Sequence, residues 1–186
     1  MELPVSEQLI ECKINEQTFK FNNMTELYNF ERFNEITEIE CRFVEDLTKF
    51  IKFPPNLQIL YCLYCKITEL ENLPESLQKL FCVSNEITSL DHLPSKLKLL
   101  DCRFNQITSL DNLPSTLTEL RCDCNKISEL NHLPDRLKDL SCKNNNIKIL
   151  DHLPKRLHYL ECNNEVIIKC DPTHLKFLRI FNKKYI

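Results

Sequence analysis

Cysteine is the residue type in this chain best suited to chemistry, because there are 11 cysteines among 186 residues. Two pairs have the spacing of metal ligands, Cys62-x-x-Cys65 and Cys122-x-Cys124. A tetrahedral zinc site needs four converging ligands, and the sequence has no second C-x-x-C. Cys62 and Cys122 also occupy a repeated position where an inward side chain is expected. We therefore predict core packing, and no metal or other cofactor.

Histidine and aspartate recur beside one another and raise the question of a catalytic or metal site. The histidines that directly precede a Leu-Pro pair are His92, His132 and His152, and the aspartates one position earlier are Asp91, Asp111 and Asp151. Imidazoles on a solvated ridge are more often ordinary surface residues, and aspartate is a common turn former. We expect neither catalysis nor metal binding there.

Glycine is absent from the sequence. Phosphate-binding loops and the G-x-S-x-G turn of many hydrolases need glycine for positive φ and close backbone approach. These motifs are excluded, and we expect no enzymatic activity. The net charge is −3 with both signs interleaved, so we expect neither a nucleic-acid nor a membrane partner.

The N-terminus, Met1 to Glu7, has neither a basic nor an apolar segment typical of secretory signals. No apolar run approaches the ~20 residues that span a bilayer. We expect a soluble intracellular protein with reduced cysteines, in the host cytoplasm if the chain is viral. Leu3-Pro4 followed by Glu7, Leu9 and Ile10 faintly resembles the start of an F-box, but the helical pattern does not continue, and a terminal cap explains the segment better.

A repeat of 20 residues organises the chain. The recurring positions are Leu73-Pro74, Leu77, Leu80, Cys82, Asn85, Ile87 and Leu90, each followed by its equivalents at intervals of 20. One earlier unit fits except that Cys65 replaces the asparagine.

The consensus LPxxLxxLxCxxNxIxxLxx resembles the leucine-rich-repeat family over about residues 53–165. It is most similar to the short class with Leu-Pro steps found in bacterial effectors and giant DNA viruses, and the Asn-, Lys- and Ile-rich composition favours a viral origin. The resemblance implies an α/β, β-rich repeat solenoid: a horseshoe segment with a parallel concave sheet and an extended, non-helical convex side.

Side-chain alternation assigns each repeat position to the core or to the surface. Leu80 and Cys82 are expected inside, with Lys79, Phe81 and Val83 outside. We expect the repeated asparagine to turn inward and to bond unpaired backbone groups of adjacent coils.

Both ends depart from the repeat and are expected to act as caps. Residues 1–35 are predicted to form an N-terminal cap, with a hairpin turning near Asn15-Glu16 and a short helix from Thr25 to Phe33. The solenoid is predicted over 36–170, from a degenerate unit with Ile36, Ile39 and Cys41 that ends near Leu47 and Phe50. Residues 171–186 are predicted to form a C-terminal capping strand with Leu178 and Ile180, after an echo of the Leu-Pro step at Asp171-Pro172.

The variable outward positions of the strands are the usual binding surface of the family that the chain resembles. The partner-binding residues that we predict are Tyr61, Tyr64, Phe81, Asp101, Arg103, Phe104, Arg121 and Asp123. Further outward polar residues follow in the later coils: Glu119, Lys138, Asp139, Lys143, Tyr159 and Glu161. Aromatics beside arginine are typical of interface hot spots, and adjacent exposed apolar residues often mark an interaction site.

The sequence therefore predicts a non-enzymatic protein-binding module, monomeric, whose partner is a protein of unknown identity. Two alternatives stay open at this point. One is a ubiquitin-ligase substrate adaptor, and the other is a viral structural or assembly component. Bacterial relatives of the resembled class attach a catalytic domain, for which few residues follow the last regular coil.

Overall fold

The structure is a computed structural model that describes residues 9–44, 52–169 and 179–181. Its helical elements are α1 (Met24–Tyr28) and one 3-10 turn (Phe33–Glu35). Its strands are β1 (Leu9–Ile14), β2 (Gln17–Phe21), β3 (Glu38–Arg42), β4 (Ile59–Leu63), β5 (Lys79–Phe81), β6 (Leu99–Asp101), β7 (Glu119–Arg121), β8 (Asp139–Ser141), β9 (Ile149–Leu150), β10 (Tyr159–Glu161), β11 (Ile167–Ile168) and β12 (Arg179–Phe181).

One strand from each coil enters a ten-stranded sheet, in the order β12-β10-β8-β7-β6-β5-β4-β3-β1-β2. From β3 to β12 the neighbours are parallel, and from β4 onward each residue pairs with the residue 20 positions later, as Leu60 does with Leu80. Each 20-residue unit therefore closes one coil, and the predicted β-rich solenoid with a parallel sheet is confirmed.

The core consists of buried columns that run the length of the solenoid. Leu60, Cys62 and Ile67 represent three of these columns, and each is buried together with its equivalents as far as Leu160, Cys162 and Ile147, whereas Ile167 is exposed. Several ladder thiols also donate to a carbonyl of the next strand, as Cys122 Sγ does to Ser141 O at 3.4 Å. The repeat therefore uses cysteine as a small core residue with a weak donor.

The repeated asparagine holds adjacent coils together. The side-chain oxygen of Asn105 accepts from Ile87 N at 3.0 Å, and its nitrogen donates to Cys82 O at 2.8 Å and Cys102 O at 3.1 Å. Asn85, Asn125 and Asn145 make equivalent bonds. These amides satisfy backbone groups that the short strands leave unpaired.

The Leu-Pro step forms one tight turn in each coil rather than a helix. The backbone N–H of Leu77 donates to Pro74 O at 2.9 Å, and the equivalent bonds in the coils from Pro54 to Pro154 measure 2.9–3.1 Å. Proline lacks the donor that would continue a helix. The described convex side is accordingly non-helical, as predicted.

The N-terminal residues form an antiparallel hairpin that extends the sheet. β1 pairs with β2 across the turn at Asn15 and Glu16, and it also pairs with β3. The α1 helix is shorter than the predicted segment from Thr25 to Phe33 and ends at Tyr28. Beyond the helix, Phe30 packs against the hairpin, with its ring centroid 5.0 Å from that of Phe19 and 5.3 Å from that of Phe21.

At the other end, the parallel strand β12 pairs with β10 and places Ile180 beside Leu160. A second small sheet of β9 and β11 was not predicted, because two-residue strands leave no periodic signal.

The predictions for Leu47, Phe50, Leu178 and the Asp171-Pro172 step lie outside the described residues. The division into caps and solenoid at 35 and 170 stays a prediction. In the described segments, no helix has the length and apolarity needed to cross a membrane.

Candidate protein-binding surface

The outward side chains of the large sheet form the surface that we call the concave face. In each coil it comprises the positions equivalent to Ile59, Tyr61, Leu63 and Tyr64. Because the strands pair in register, equivalent residues of neighbouring coils lie side by side. Side chains at these positions are not needed to fill the core, so their chemistry can vary from coil to coil.

Aromatic rings dominate the concave face near β3 to β5. Tyr61 and Phe81 stack with ring centroids 4.5 Å apart and an interplanar angle of 8°. Phe43 and Tyr64 stack at 5.1 Å and 17°. Leu63, also half-buried, lies on the same surface. Four rings held in two stacks make a rigid apolar patch.

Some of these aromatics stand where the backbone is left-handed. Five successive coils have a non-glycine residue with φ of 53–57° at this position, namely Tyr64, Ser84, Phe104, Cys124 and Asn144. Asparagine and glycine tolerate this conformation best, whereas a bulky side chain in it costs on the order of 1 kcal/mol. Tyr64 and Phe104 are nevertheless each 53% exposed, so about half of each residue's surface remains in water.

Asp101 differs from the expectation that it lies on the open surface, because it is only 2% exposed. Arg103 covers it, donating from Nε at 2.8 Å and from Nη2 at 2.7 Å. Arg121 approaches the same carboxylate at 3.9 Å and also pairs with Glu119. The hydrogen bond with Asp101 raises the pKa of Arg103 above its usual value. Asp101 thus orients two arginines rather than facing a partner itself.

A groove of about 480 Å³ opens beside these arginines, across β7, β8 and β10. Its polar lining consists of Arg103, Glu119, Arg121, Asp123, Asp139, Ser141, Tyr159 and Glu161. Unlike the aromatic patch, the groove is bounded mainly by charged and hydroxyl groups. The concave face therefore has an aromatic half and a charged half.

Most groups in the far wall of the groove are bonded to one another. Ser141 Oγ donates to Asp123 Oδ1 at 2.6 Å, and Lys143 N donates to the same oxygen at 2.7 Å. Lys143 Nζ pairs with Glu161, to which Tyr159 donates at 3.1 Å. The hydrogen bond from Lys143 lowers the pKa of Glu161, against the opposing effect of burial.

Asp139 is the exception in this groove. Its residue is exposed, and among the described residues no side chain donates to its carboxylate or forms an ion pair with it. It lies in register between Glu119 and Tyr159 on the adjacent strands. A carboxylate that faces the groove without a protein partner is available to an incoming group.

The sequence-predicted residues fall into these two halves. Tyr61 with Phe81, and Asp101 with Arg103 and Arg121, are brought into direct contact. Sequence reasoning missed Phe43, which stacks on Tyr64. The signal for it was its place 21 residues before Tyr64, one residue more than the repeat length, in the degenerate first coil.

Nine of the ten described cysteines are buried and give no reactive site. Cys62 and Cys65 are both fully buried and belong to the core. Burial raises the pKa of Cys62 and Cys122 well above the usual value, which disfavours the thiolate that metals and electrophiles need. Cys124 is the partly exposed member among the ten described cysteines, and it accepts from Asn144 Nδ2 at 3.4 Å.

The histidines do not converge on one another or on the cysteines. His92, His132 and His152 are exposed on successive or separated coils. His152 Nδ1 lies 3.2 Å from its neighbour Asp151. Within residues 9–44, 52–169 and 179–181, no group of three or more His, Cys, Asp or Glu residues could hold a metal ion.

Solved structures with a similar fold include two bacterial proteins at more than 30% identity. YopM from Yersinia enterocolitica WA-314 is 32% identical with a TM-score of 0.64, over 70% of this chain and 29% of YopM. The functional domain of InlJ from Listeria monocytogenes, described as including a cysteine ladder, is 33% identical with a TM-score of 0.58, over 67% of this chain and 29% of that chain. This chain therefore spans less than a third of either protein.

A third structure, a Shigella effector leucine-rich-repeat domain, has a TM-score of 0.61 at 20% identity, over 86% of this chain and 84% of the domain, and supports the fold alone. No family model matches the sequence, and no curated protein matches it. The 20-residue coil, the parallel sheet and the likeness to YopM and InlJ together support the assignment of this chain to the leucine-rich-repeat proteins.

Proposed function

We propose that the chain is a non-enzymatic module that binds a protein partner on its concave face. The observation that carries this proposal is the placement of Tyr64 and Phe104, which are large, exposed and held at a backbone position that asparagine fits better. A residue kept at a conformational cost is more often explained by a function than by stability.

The surroundings of these rings support the same function. The Tyr61–Phe81 and Phe43–Tyr64 stacks extend the apolar surface across three strands, and Arg103 stands next to Phe104 in sequence. Aromatic and arginine side chains dominate interface hot spots. Because the stacks and ion pairs already fix these side chains, less ordering entropy is lost on binding.

The experiment is affinity capture from cell lysate with mass spectrometry, using the double variant Tyr64→Asn/Phe104→Asn. Asparagine occurs naturally at the equivalent position 144, so the variant is expected to fold at least as stably as the wild type. Loss of the captured partner is the expected result. Retention of the same partner would show that the concave aromatics do not bind it.

A matched control is Ser84→Asn, which makes the same backbone-compatible change in the same column without removing a ring. Its captured proteins should equal those of the wild type. If Ser84→Asn lost the partner as well, the loss would reflect the added asparagine rather than the missing aromatics.

The proposed function includes an intracellular location for the protein. The free and buried thiols are compatible with a reducing, intracellular environment. The viral origin suggested by the composition stays a prediction, since the similar structures reported above are bacterial.

A further inference from the structure

We propose that the partner presents an extended basic segment to the concave face, with an arginine in the groove beside Asp139 and an apolar side chain about five residues away on the Tyr61–Phe81 stack. This inference rests on the proposed function and specifies the chemistry of the partner. The charge of the groove, the bonding of its cations and its distance from the aromatic patch support it.

Negative charge exceeds positive charge on the concave face from β6 to β10. At the positions that define the concave face, the charged residues there are the carboxylates Asp101, Glu119, Asp123, Asp139 and Glu161 and the cations Arg103, Arg121 and Lys143. Lys138, exposed beside Asp139 in the sequence, adds a fourth cation and leaves five carboxylates against four cations. Arg179, one strand beyond Tyr159, is exposed and has no described ion pair with this group. A positively charged partner is therefore favoured by complementarity, which acts on association rate and specificity.

The bonding pattern strengthens this conclusion. Arg103 donates to the buried Asp101 through two nitrogens, Arg121 pairs with Glu119, and Lys143 pairs with Glu161. An acidic partner would have to displace these existing pairs before it could bind a cation. A basic side chain can instead reach Asp139 without breaking a described contact.

Arginine fits the site better than lysine. Tyr159 lies beside Asp139 in register on the next strand and is half-buried, so its ring borders the groove at this carboxylate. A guanidinium can pair with a carboxylate through two parallel hydrogen bonds and also pack on an aromatic side chain, whereas an ammonium is a more strongly hydrated point charge.

The distance across the face sets the spacing in the partner. Phe81 on β5 and Asp139 on β8 are separated by three strand intervals. The register partner of Phe81 on β8 is Ser141, and Asp139 lies two residues before it. At ~4.8 Å for each interval and ~3.3 Å for each residue along the strand, the separation is about 16 Å. An extended chain advances ~3.3 Å per residue, so about five residues span it. The partner segment is thus expected to carry its apolar residue and its arginine at positions i and i+5, in either direction.

The test uses the full chain and a defined probe, the acetylated and amidated peptide Phe-Ser-Ser-Ser-Ser-Arg. Amide chemical shifts of the ¹⁵N-labelled protein are followed during titration. The expected result is saturable shifts near both Phe81 and Asp139, weaker binding when lysine replaces the arginine, and weaker binding still when glutamate replaces it. Equal affinity of the arginine and glutamate peptides, or no shifts at the concave face, would overturn the inference.

Two protein variants distinguish the role of the Asp139 charge from a general effect of removing one negative charge. Asp139→Asn should weaken binding of the arginine peptide by about fivefold, the upper range for an exposed ion pair. Asp135→Asn, which removes the same charge from an exposed residue near the convex turn, should leave binding unchanged. Unchanged affinity in Asp139→Asn would refute the assignment of this carboxylate.

A third arm addresses a different class of ligand. Saturable binding of a single-stranded RNA oligonucleotide that becomes tighter in Asp139→Asn would contradict a basic protein segment. The outcome for the proposed function is read separately: if capture from lysate depends on Tyr64 and Phe104 but the peptide fails, the inference is wrong and the proposed function stands.

Discussion

Replacing Asn105 by alanine should destabilise the solenoid strongly without touching the concave face. The residue is buried, with 8% of its surface exposed. Its amide accepts from Ile87 N at 3.0 Å and donates to Cys82 O, Cys102 O and Arg103 O at 2.8, 3.1 and 3.3 Å. Truncation leaves one buried N–H and at least two buried carbonyls without this partner.

The magnitude follows from these bonds. A buried backbone group left unsatisfied costs about 1–3 kcal/mol, and water can enter part of the space. We therefore expect a loss of about 3 kcal/mol in the free energy of unfolding. For a chain of 186 residues this corresponds to a fall in Tm of about 6–12 °C.

Cys65 provides an internal comparison, because it occupies the asparagine position one coil before Asn85. Its thiol donates to Leu63 O at 3.1 Å and to Cys41 O at 3.5 Å, two carbonyls equivalent to those that bind Asn105. Asn105→Cys should therefore retain part of the bonding. The expected order of stability is wild type, then Asn105→Cys, then Asn105→Ala.

The assay is thermal and urea unfolding followed by circular dichroism. Asn112→Ala, at an exposed turn residue in the same coil, is the control and should shift stability by less than about 0.5 kcal/mol. A loss below about 1 kcal/mol in Asn105→Ala, or a cysteine variant less stable than the alanine variant, would refute the bonding argument.

Three further predictions concern the thiols and the buried carboxylate. In a Cys170→Ser background, one thiol of the native protein, Cys124, should react rapidly with Ellman's reagent, and rapid reaction of a second would contradict the buried ladder. Burial raises the pKa of the Cys12 thiol to about 11, and it also raises the pKa of the buried thiols Cys82 and Cys102. Because a thiol of the unfolded chain loses its proton near pH 8.5, the unfolded state is favoured as the pH rises. The Tm should therefore fall from pH 8 to pH 10, and it should fall less steeply in Cys12→Ala. Asp101→Asn should lower stability by about 1–2 kcal/mol in urea unfolding, because both arginines lose a charged acceptor, and no change would show that the pairs contribute nothing.

The fold was predictable because the same residue types recur at the same positions in successive coils. Leu80, Cys82 and Ile87 recur at fixed intervals, and only one coil geometry places all their equivalents inside. The asparagine ladder was predictable for a similar reason, since a polar residue at a constant place beside core positions must satisfy backbone groups. Periodicity thus determines which side of the sheet each residue faces.

The candidate site was less predictable because neighbouring side chains modify exposure. Alternation puts Asp101 on the outer side of the sheet, but it cannot show that Arg103 folds over it from two residues away. Nor does the sequence show that Asp139 lacks a described partner while Lys143 and Tyr159 both donate to Glu161, since these pairings depend on rotamers across strands.

Irregular segments were hardest to predict, because a single contact decides them. The helix α1 ends at Tyr28, and Phe30, two residues later, packs on the hairpin. The sequence did not indicate the left-handed backbone at Tyr64, because it contains no glycine, the usual marker of positive φ. Its recurrence from Tyr64 to Asn144 became visible in the structure.

The claim that Tyr64 and Phe104 serve binding rather than stability is tested by measuring Tm and partner affinity in the same variant, Tyr64→Asn/Phe104→Asn. If these aromatics are retained for binding despite an unfavourable backbone, Tm should hold or rise while affinity for the captured partner, measured by titration calorimetry, falls at least tenfold. A lower Tm with unchanged affinity would contradict the account, because the rings would then stabilise the fold instead of the complex.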